Sequence, residues 1–406
     1  MIRSCCSPRN AIGPDALKVL HVTPYFPPAQ PYGGPPASVL GLCHGLQQAG
    51  VDVEVVTTTA NGPTSLRPSP PGGEHYEGVP VFYAERAFPQ RFFGARVRGP
   101  LIRALAGADV CHIHGVWNVP EWWASHLARA AGVPYVISPR GMLQPEAMRR
   151  GRTRKAAAWA LLDARNLKGA ALLHATSEQE AGAIRALDLG VPIAVVPNGV
   201  DLDSAQQLRR GFRARLGIPP DAFVVLFLGR MHRIKRLDLL ADAFLAARAT
   251  HSSMHLVLAG PDEQGLVPEL RRRLSPALDA VHPIGTVRAE DKWALLRDAD
   301  VMVQCSDSES FGMAVIESLA SGVPAIVTRT CPWSEIEKYE CGFWVEQTVP
   351  AIAAALSELA DDPIRRQRMG ARAAVFAREH YGWEAIAASM SRLYSGVMVQ
   401  ERLHAN

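Results

Sequence analysis

Residues 306–322 read SDSESFGMAVIESLASG and stand between two apolar, strand-like runs at 301–305 and 324–328. Within this stretch Glu309 and Glu317 lie eight residues apart, with Phe311 and Gly312 between them. A helix that starts near Gly312 turns Val315, Ile316 and Leu319 toward a sheet, because residues three and four apart share a face. Glu317 then falls about one and a half turns into the helix. Glu309 falls in the loop before it. The open N–H groups of such a helix start favour an anion. One helix entrance therefore offers an anion site, a carboxylate before it and a carboxylate inside it. That set suits a sugar nucleotide: carboxylates hold hydroxyl pairs, and free amides hold a diphosphate. A plainer reading, in which a glutamate near a helix start only complements the dipole, stays open on this stretch alone.

Upstream, the sequence keeps an α/β rhythm: a strand at 223–228, a helix at 236–249, strands at 255–259 and 281–284, and a helix at 291–297. Gly229-Arg230 follows the first of these strands, and Lys235 comes five residues after Arg230. Both cations project at the carboxyl edge of the sheet, beside the helix start. Two cations there suit a diphosphate. The alternative is a solvated basic turn that also holds Arg233 and Arg236. Asp298-Ala299-Asp300 has the form of a metal-binding DxD, but it precedes its strand at the opposite edge and reads as a solvated turn.

The first half opens in the same style. KVLHVT at 18–23 is a strand stopped by Pro24, and 37–49 places Val39, Leu42, Cys43 and Leu46 at helical spacing before Gly50. A strand at 51–57 completes the start of a parallel sheet. Gly33 and Gly34 lie in the first loop, where open α/β sheets bind ligands. A glycine pair without a GxGxxG pattern equally marks a simple turn. Residues 61–78 are polar and rich in Pro and Gly, which predicts a loop or lid. DVCHIH at 109–114 is a buried strand that puts His112 and His114 on one face. No Cys or carboxylate stands beside them at ligand spacing, so a metal site is the weaker reading. His114 is the one nearer the cleft. A strand at 135–138 leads into Pro139-Arg140-Gly141-Met142-Leu143, and after the strand at 170–176 Ser177 and Glu180 form a capping box. The strand at 193–197 runs into PNGVD at 197–201, where the boundary between domains falls.

At 406 residues the chain is long enough for two domains with separate cores. Hydrophobic residues make 48% and charged residues 20%, the balance of a soluble globular protein. Residues 1–200 carry 19 Lys+Arg against 13 Asp+Glu, a net +6, whereas the rest carries 24 against 26. That asymmetry suggests an acidic partner or a membrane surface for the first half and is too weak to argue for nucleic acid. Its basic residues gather in 86–103 (Arg86, Arg91, Arg96, Arg98 and Arg103, among Phe88, Phe92 and Phe93) and in 149–155, neither of which contains an acid. Seven cysteines without a CxxC pair make no disulfide framework, and the expected compartment is a reducing cytoplasm. Residues 1–16 lack the apolar core of a signal peptide and read as a disordered tail. No apolar run is long enough to span a membrane.

Taken together, these motifs resemble glycosyltransferase family four, retaining enzymes with the two-domain GT-B fold. The resemblance rests on Gly33-Gly34, His114, SPRGML at 138–143, PNGVD at 197–201, Arg230 with Lys235, and Glu309 with Glu317. It covers nearly everything from Lys18 onward. TRTCPWSEI at 328–336 is similar to the subset that acts in bacterial surface-polysaccharide assembly. Arg233-Ile234 before Lys235 departs from the family, where a proline or small residue is common. The implied architecture is α/β: two Rossmann-like parallel-sheet domains facing across a cleft. They comprise an acceptor domain at 17–200, a nucleotide-sugar domain at 201–382 and a C-terminal helix at 383–406 that crosses back. Ile386, Met390, Leu393 and Val397 give that helix an apolar face, and hinges near Val200 and Tyr381 fit domain closure.

The resemblance also implies roles. Arg230 and Lys235 neutralise the leaving diphosphate, Glu317 holds the ribose hydroxyls, and Glu309 holds hydroxyls of the sugar being transferred. Phe311, Gly312 and Met313 offer backbone near the sugar or phosphate. Gly33 and Gly34 let the first domain approach the nucleotide sugar, His114 contacts its sugar, and Arg140 and Asn198 lie on the acceptor side. The leaving phosphate serves as base, so neither a protein nucleophile nor a metal or other cofactor is expected. The partners implied are a nucleotide-diphosphate sugar and a glycan or polyprenyl-diphosphate-linked acceptor, with an anionic membrane surface beside it and no nucleic acid. The implied location is cytoplasmic, peripheral at the inner face of the membrane. Two other functions compete. An epimerase on the same fold needs acid and base groups beyond His114 and Glu309. A non-catalytic binding protein would have lost Arg230, Lys235 or Glu309, and all three are present.

Overall fold

The computed structural model describes residues 16–29, 32–86, 95–149, 152–206 and 211–405. The first half contains β1 (Lys18–Val22), β2 (Asp52–Thr58), β3 (Ala60–Asn61), β4 (Thr64–Ser65), β5 (Glu74–Tyr76), β6 (Val79–Ala84), β7 (Val110–His114), β8 (Tyr135–Ser138), β9 (Leu172–Ala175) and β10 (Ile193–Val195). Eight of these form one sheet in the order β10-β9-β8-β7-β1-β2-β6-β5, parallel except for the β5–β6 edge. The second half builds a six-stranded parallel sheet from β11 (Phe223–Leu228), β12 (Met254–Ala259), β13 (Val281–Gly285), β14 (Val301–Gln304), β15 (Ala325–Thr328) and β16 (Gly342–Val345), in the order β13-β12-β11-β14-β15-β16. Parallel strands need crossover helices on both faces, so their sequences are apolar nearly throughout. FVVLFL in β11 and VMVQ in β14 follow that rule, and each is buried along almost its whole length.

Three readings of the sequence need correction. The first helix begins at Gly34 and runs to Gln48, three residues earlier than its apolar spacing suggests. Pro35 and Pro36 fit its first turn, where no amide hydrogen bond is required. Residues 61–78 are not an open lid: β4 pairs with β3, and β5 joins the sheet edge. Arg86, counted above in the basic segment 86–103, is 8% exposed and pins this hairpin by donating to Gly62 O, Thr64 O and Ser65 Oγ. The third correction is the DxD. Asp298 is buried and accepts from the backbone N–H groups of Gly211 and Phe212, while Asp300 pairs with Arg213 at 2.7 Å and Arg366 at 3.2 Å. This is a structural network rather than a solvated turn.

The last helix, Trp383–Ala405, packs on the helix Gly34–Gln48 and joins the first half's core through Ile386, Met390, Tyr394 and Val397. The Trp383 ring fills the space that a Cβ on Gly41 or Gly199 would occupy. Where the chain passes between halves, Val200 N–H donates to Tyr381 O at 2.8 Å, so both crossings run side by side. Of the segment 1–16, read as a tail, residues 1–15 lie outside the described residues, as do Phe88, Arg91, Phe92 and Phe93. The five described cysteines, Cys43, Cys111, Cys305, Cys331 and Cys341, are free and buried. Among the described residues no helix is long and apolar enough to cross a membrane.

Candidate active site

The helix Met313–Ala320 starts one residue after Gly312, whose left-handed φ of 91° closes the preceding loop. No side chain caps this start and no acid occupies its first turn. Val315, Ile316 and Leu319 are fully buried, as their spacing requires. Glu317 stands 8% exposed and accepts from Lys292 Nζ at 2.7 Å. Glu309 pairs with Lys235, and Gln304 Nε2 donates to the same carboxylate oxygen at 3.2 Å. Arg230, just past β11, spans both oxygens of Glu263 at 3.0 and 3.1 Å. The two cations thus share one sheet edge but each holds its own carboxylate. The Phe311 ring is packed in the core against Trp333 and Tyr381, so only its backbone is available at the site.

The first half closes on this edge. A Cβ on Gly33 would lie 3.4 Å from Arg230 Nε, and one on Gly34 would lie 3.0 Å from Met313 Cγ. The glycine pair is therefore a close approach between halves, and Gly33 also needs its φ of 72°. Gln144 clasps the loop before the helix: its amide N–H donates to Glu309 O at 3.1 Å, and its carbonyl accepts from Ser308 Oγ. Ser177 Oγ donates to Ser310 O at 2.8 Å.

On the first-half wall, Arg140 joins two other sequence-predicted residues, Asn198 and His114, and Ser38, which the sequence reading did not single out. Its Nη1 donates to Asn198 Oδ1 at 2.6 Å and to Ser38 Oγ at 3.2 Å, and its Nη2 donates to His114 Nδ1 at 3.1 Å. Arg140 sits at a left-handed φ of 55°. Glu180 holds that turn by accepting from Gly141 N–H and, with its other oxygen, from Thr176 N–H at 2.8 Å. Ser177 Oγ accepts from Glu180 N–H at 3.1 Å as a helix cap should. The Glu180 side chain reaches Thr176 and the Arg140 loop instead of completing the box.

Behind this wall, hydrogen bonds fix the tautomers of four buried histidines. Since Arg140 can only donate, His114 Nδ1 accepts, and His114 Nε2–H donates to His21 Nδ1 at 2.9 Å. His21 Nε2 then carries a proton and is a buried donor without a partner. Val196 O can only accept, so His174 Nε2–H donates to it at 2.8 Å, and Ser138 Oγ–H donates to His174 Nδ1 at 2.6 Å. His112 Nε2–H in turn donates to Ser138 Oγ at 2.6 Å, and Tyr394 O–H donates to His112 Nδ1 at 2.7 Å. Burial, followed by the charges around them, depresses all four imidazoles, His21 to about 3 and His174 to about 4, so they stay neutral. Nitrogens of His21, His112 and His114 come within 4.8 Å of one another. Both nitrogens of His112 and His114 already serve these hydrogen bonds, and a cation would sit beside Arg140, so the cluster fits a hydrogen-bonded relay better than a metal site.

The structure brings together on one cleft the Gly33-Gly34 pair, His114, Arg140, Asn198, Arg230, Lys235, Glu309, Met313 and Glu317. Lys292, Glu263, Gln144, His21 and Tyr394 escaped the sequence reading. Each acts through a partner distant in the chain, and no local spacing marks them.

Two parallel-sheet halves meeting at such a cleft, with a last helix returning to the first half, define the GT-B class. The chain belongs to the group 1 glycosyl transferases: the family model of that description matches residues 209–376, and a glycosyl transferase 4-like domain matches 33–199. It is 30% identical to a D-inositol 3-phosphate glycosyltransferase of Streptomyces griseus subsp. griseus, over 96% of this chain and 90% of that one. Among solved structures, Anabaena Alr3699/HepE in complex with UDP and glucose superposes with a TM-score of 0.72 at 18% identity, over 94% of this chain and all of that one. WaaG, a glycosyltransferase involved in lipopolysaccharide biosynthesis, gives 0.69 at 16% identity, over 93% and 100%. The protein is a glycosyltransferase, and the epimerase and binding-only readings give way to it.

Proposed function

We propose that this enzyme transfers a sugar from a nucleotide-diphosphate sugar to a glycan or lipid-linked acceptor, with retention of configuration, in bacterial surface-polysaccharide assembly. The observation that carries the reading is the meeting of Lys235, Glu309 and the uncapped start of Met313–Ala320 opposite the Gly33-Gly34 turn. Lys235 and Arg230 take up the charge that develops on the leaving diphosphate, helped by the helix start. Glu317, oriented by Lys292, takes the ribose hydroxyls. Glu309 and His114 take hydroxyls of the transferred sugar from opposite walls. His114 is neutral, with Nδ1 accepting from Arg140 and Nε2–H donating to His21, so donation to the sugar exchanges the His21 hydrogen bond for one to the hydroxyl. No metal or other cofactor is required, because fixed cations and amides do the work of a Lewis acid. The leaving phosphate oxygen accepts the acceptor's proton, so this reading calls for no protein nucleophile.

The polysaccharide role leans on the 328–336 segment; by analogy of fold, HepE with its UDP and glucose supports a nucleotide-sugar setting, and WaaG, involved in lipopolysaccharide biosynthesis, supports the glycan one. The location that follows is the cytoplasmic face of the membrane. A thermal-shift panel of UDP-, GDP- and ADP-sugars identifies the co-substrate, since a ligand of the native state raises the melting temperature. NMR of the product then reads its anomeric coupling. Inversion would remove the retaining mechanism, and indifference to every nucleotide sugar would remove the whole reading.

A further inference from the structure

Every partner of the Arg140 side chain is uncharged: an amide oxygen of Asn198, the hydroxyl of Ser38 and the imidazole of His114. Its Nε–H has no acceptor at all. Glu180 is the carboxylate that acts on Arg140 most strongly, yet its oxygens are committed to Gly141 and Thr176. A partly covered guanidinium whose hydrogen-bond partners are all dipoles has no bonded counter-charge, an arrangement that favours the arrival of an anion. The surroundings add to the same sign. Ser38 belongs to the first turns of the helix Gly34–Gln48, which has no acid in its first turn and no side-chain cap. His21 Nε2–H, one imidazole behind His114, is a second buried donor without an acceptor. Arg140 itself is only partly covered, so the cleft reaches it.

We propose that Arg140 is the receptor for an oxyanion carried by a substrate, a phosphate or carboxylate group, held on the first-half wall with Asn198, Ser38 and the helix start around it. This rests on the glycosyltransferase reading and adds the charge of what is bound. The diphosphate of the nucleotide sugar has its own cations, Arg230 and Lys235, on the other half. The oxyanion has two sources: a phosphate on the acceptor, or the carboxylate of a uronic acid being transferred.

The test is thermal unfolding of the full chain with its nucleoside diphosphate saturating, so that the diphosphate site is filled. Inorganic phosphate is added against potassium chloride of equal ionic strength. In a second arm, UDP-glucuronate is compared with UDP-glucose. A further rise in melting temperature with phosphate assigns the anion to the acceptor, and a larger rise with the glucuronate assigns it to the transferred sugar. Either gain must vanish in Arg140→Gln while the nucleotide shift remains. Asn198→Asp guards against misfolding, since it keeps the shape and supplies the missing carboxylate. It should stabilise the free protein and abolish the response to phosphate. No gain in either arm overturns the proposal, as does a gain that survives both substitutions, which would mark an adventitious ion only. Loss of the nucleotide shift in Arg140→Gln also overturns it, because Arg140 then belongs to the diphosphate. If no nucleotide stabilises the wild type, the glycosyltransferase reading of the cleft fails by itself, and the phosphate arm is read without nucleotide.

Discussion

Lys235 and Glu309, 74 residues apart in the sequence, form an ion pair across the cleft edge with only 15% and 16% of their side chains exposed. Each is the other's ion-pair partner in this fold. In the proposed reaction the diphosphate would offer Lys235 a stronger partner and free Glu309 for sugar hydroxyls. Lys235→Ala should lower turnover by at least about a hundredfold, as loss of one transition-state hydrogen-bond donor does. Initial rates with saturating nucleotide sugar measure this. Wild-type turnover in an Arg230→Ala, Lys235→Ala double variant would sink the site.

A second prediction separates the DxD look-alike from the chemistry. Asp300 bridges Arg213 and Arg366, and Asp298 caps the helix Phe212–Arg215. Asp300→Ala strands two partly buried guanidinium groups and should destabilise by about 3 kcal/mol, the scale for breaking a buried pair. Affinity for the nucleotide sugar should hold in the folded fraction. Activity in excess EDTA should persist. Loss of activity that Mg²⁺ or Mn²⁺ restores would return the aspartates to the reaction.

The third concerns pH. Glu121 and Asp163 are both buried, and each leaves one oxygen without a partner on a small cavity beside Gly115 and Trp122. Desolvation pushes Glu121 up from 4.5 to about 8, with the Asp163 charge adding to it, against an opposing hydrogen bond from Asn118. Asp163 is pushed to about 6 by burial, although Trp117 N–H and Trp122 Nε1–H donate to its other oxygen. A carboxyl raised on folding binds its proton more tightly in the native state. Its stabilisation is complete below pH 4.5 and is lost as pH rises through 8. Glu121→Gln should therefore raise the melting temperature at pH 9 by a few degrees and change little at pH 5. Parallel melting curves for wild type and variant across that range would disprove the raised pKa.

How much of this was legible follows from the range over which each signal acts. Periodicity and turn residues are local, so the alternating strands and helices, the 306–322 helix and the returning last helix could be read directly. The cleft residues were legible through their motifs. Their counter-charges were not: Glu263 for Arg230 and Lys292 for Glu317 are set by neighbouring strands and helices, which no local spacing encodes. Arg86 shows the same limit. It counts as charge in the sequence, yet in the fold it is a buried hydrogen-bond donor for a hairpin.

That lesson reshapes the last prediction, association with an anionic membrane. In the segment 86–103, Arg86 is buried, Arg96 pairs with Glu85, and Arg98 and Arg103 lie over Trp123 and Phe82. These arginines have partners within the fold. The second basic segment is better placed. The helix Arg152–Ala158 runs into a π-helical turn, Trp159–Asp163, which leaves Leu161 75% and Leu162 41% exposed. Apolar side chains next to a basic run suit a headgroup region, where each Lys or Arg contributes about 1 kcal/mol. Sedimentation with phosphatidylserine vesicles should show binding that fades with salt and weakens in Leu161→Ser, Leu162→Ser. A triple alanine at Arg91, Arg96 and Arg98 should weaken it less. Equal loss in both variants would place contact on the first segment, and no binding at low salt would leave a soluble acceptor as the better reading.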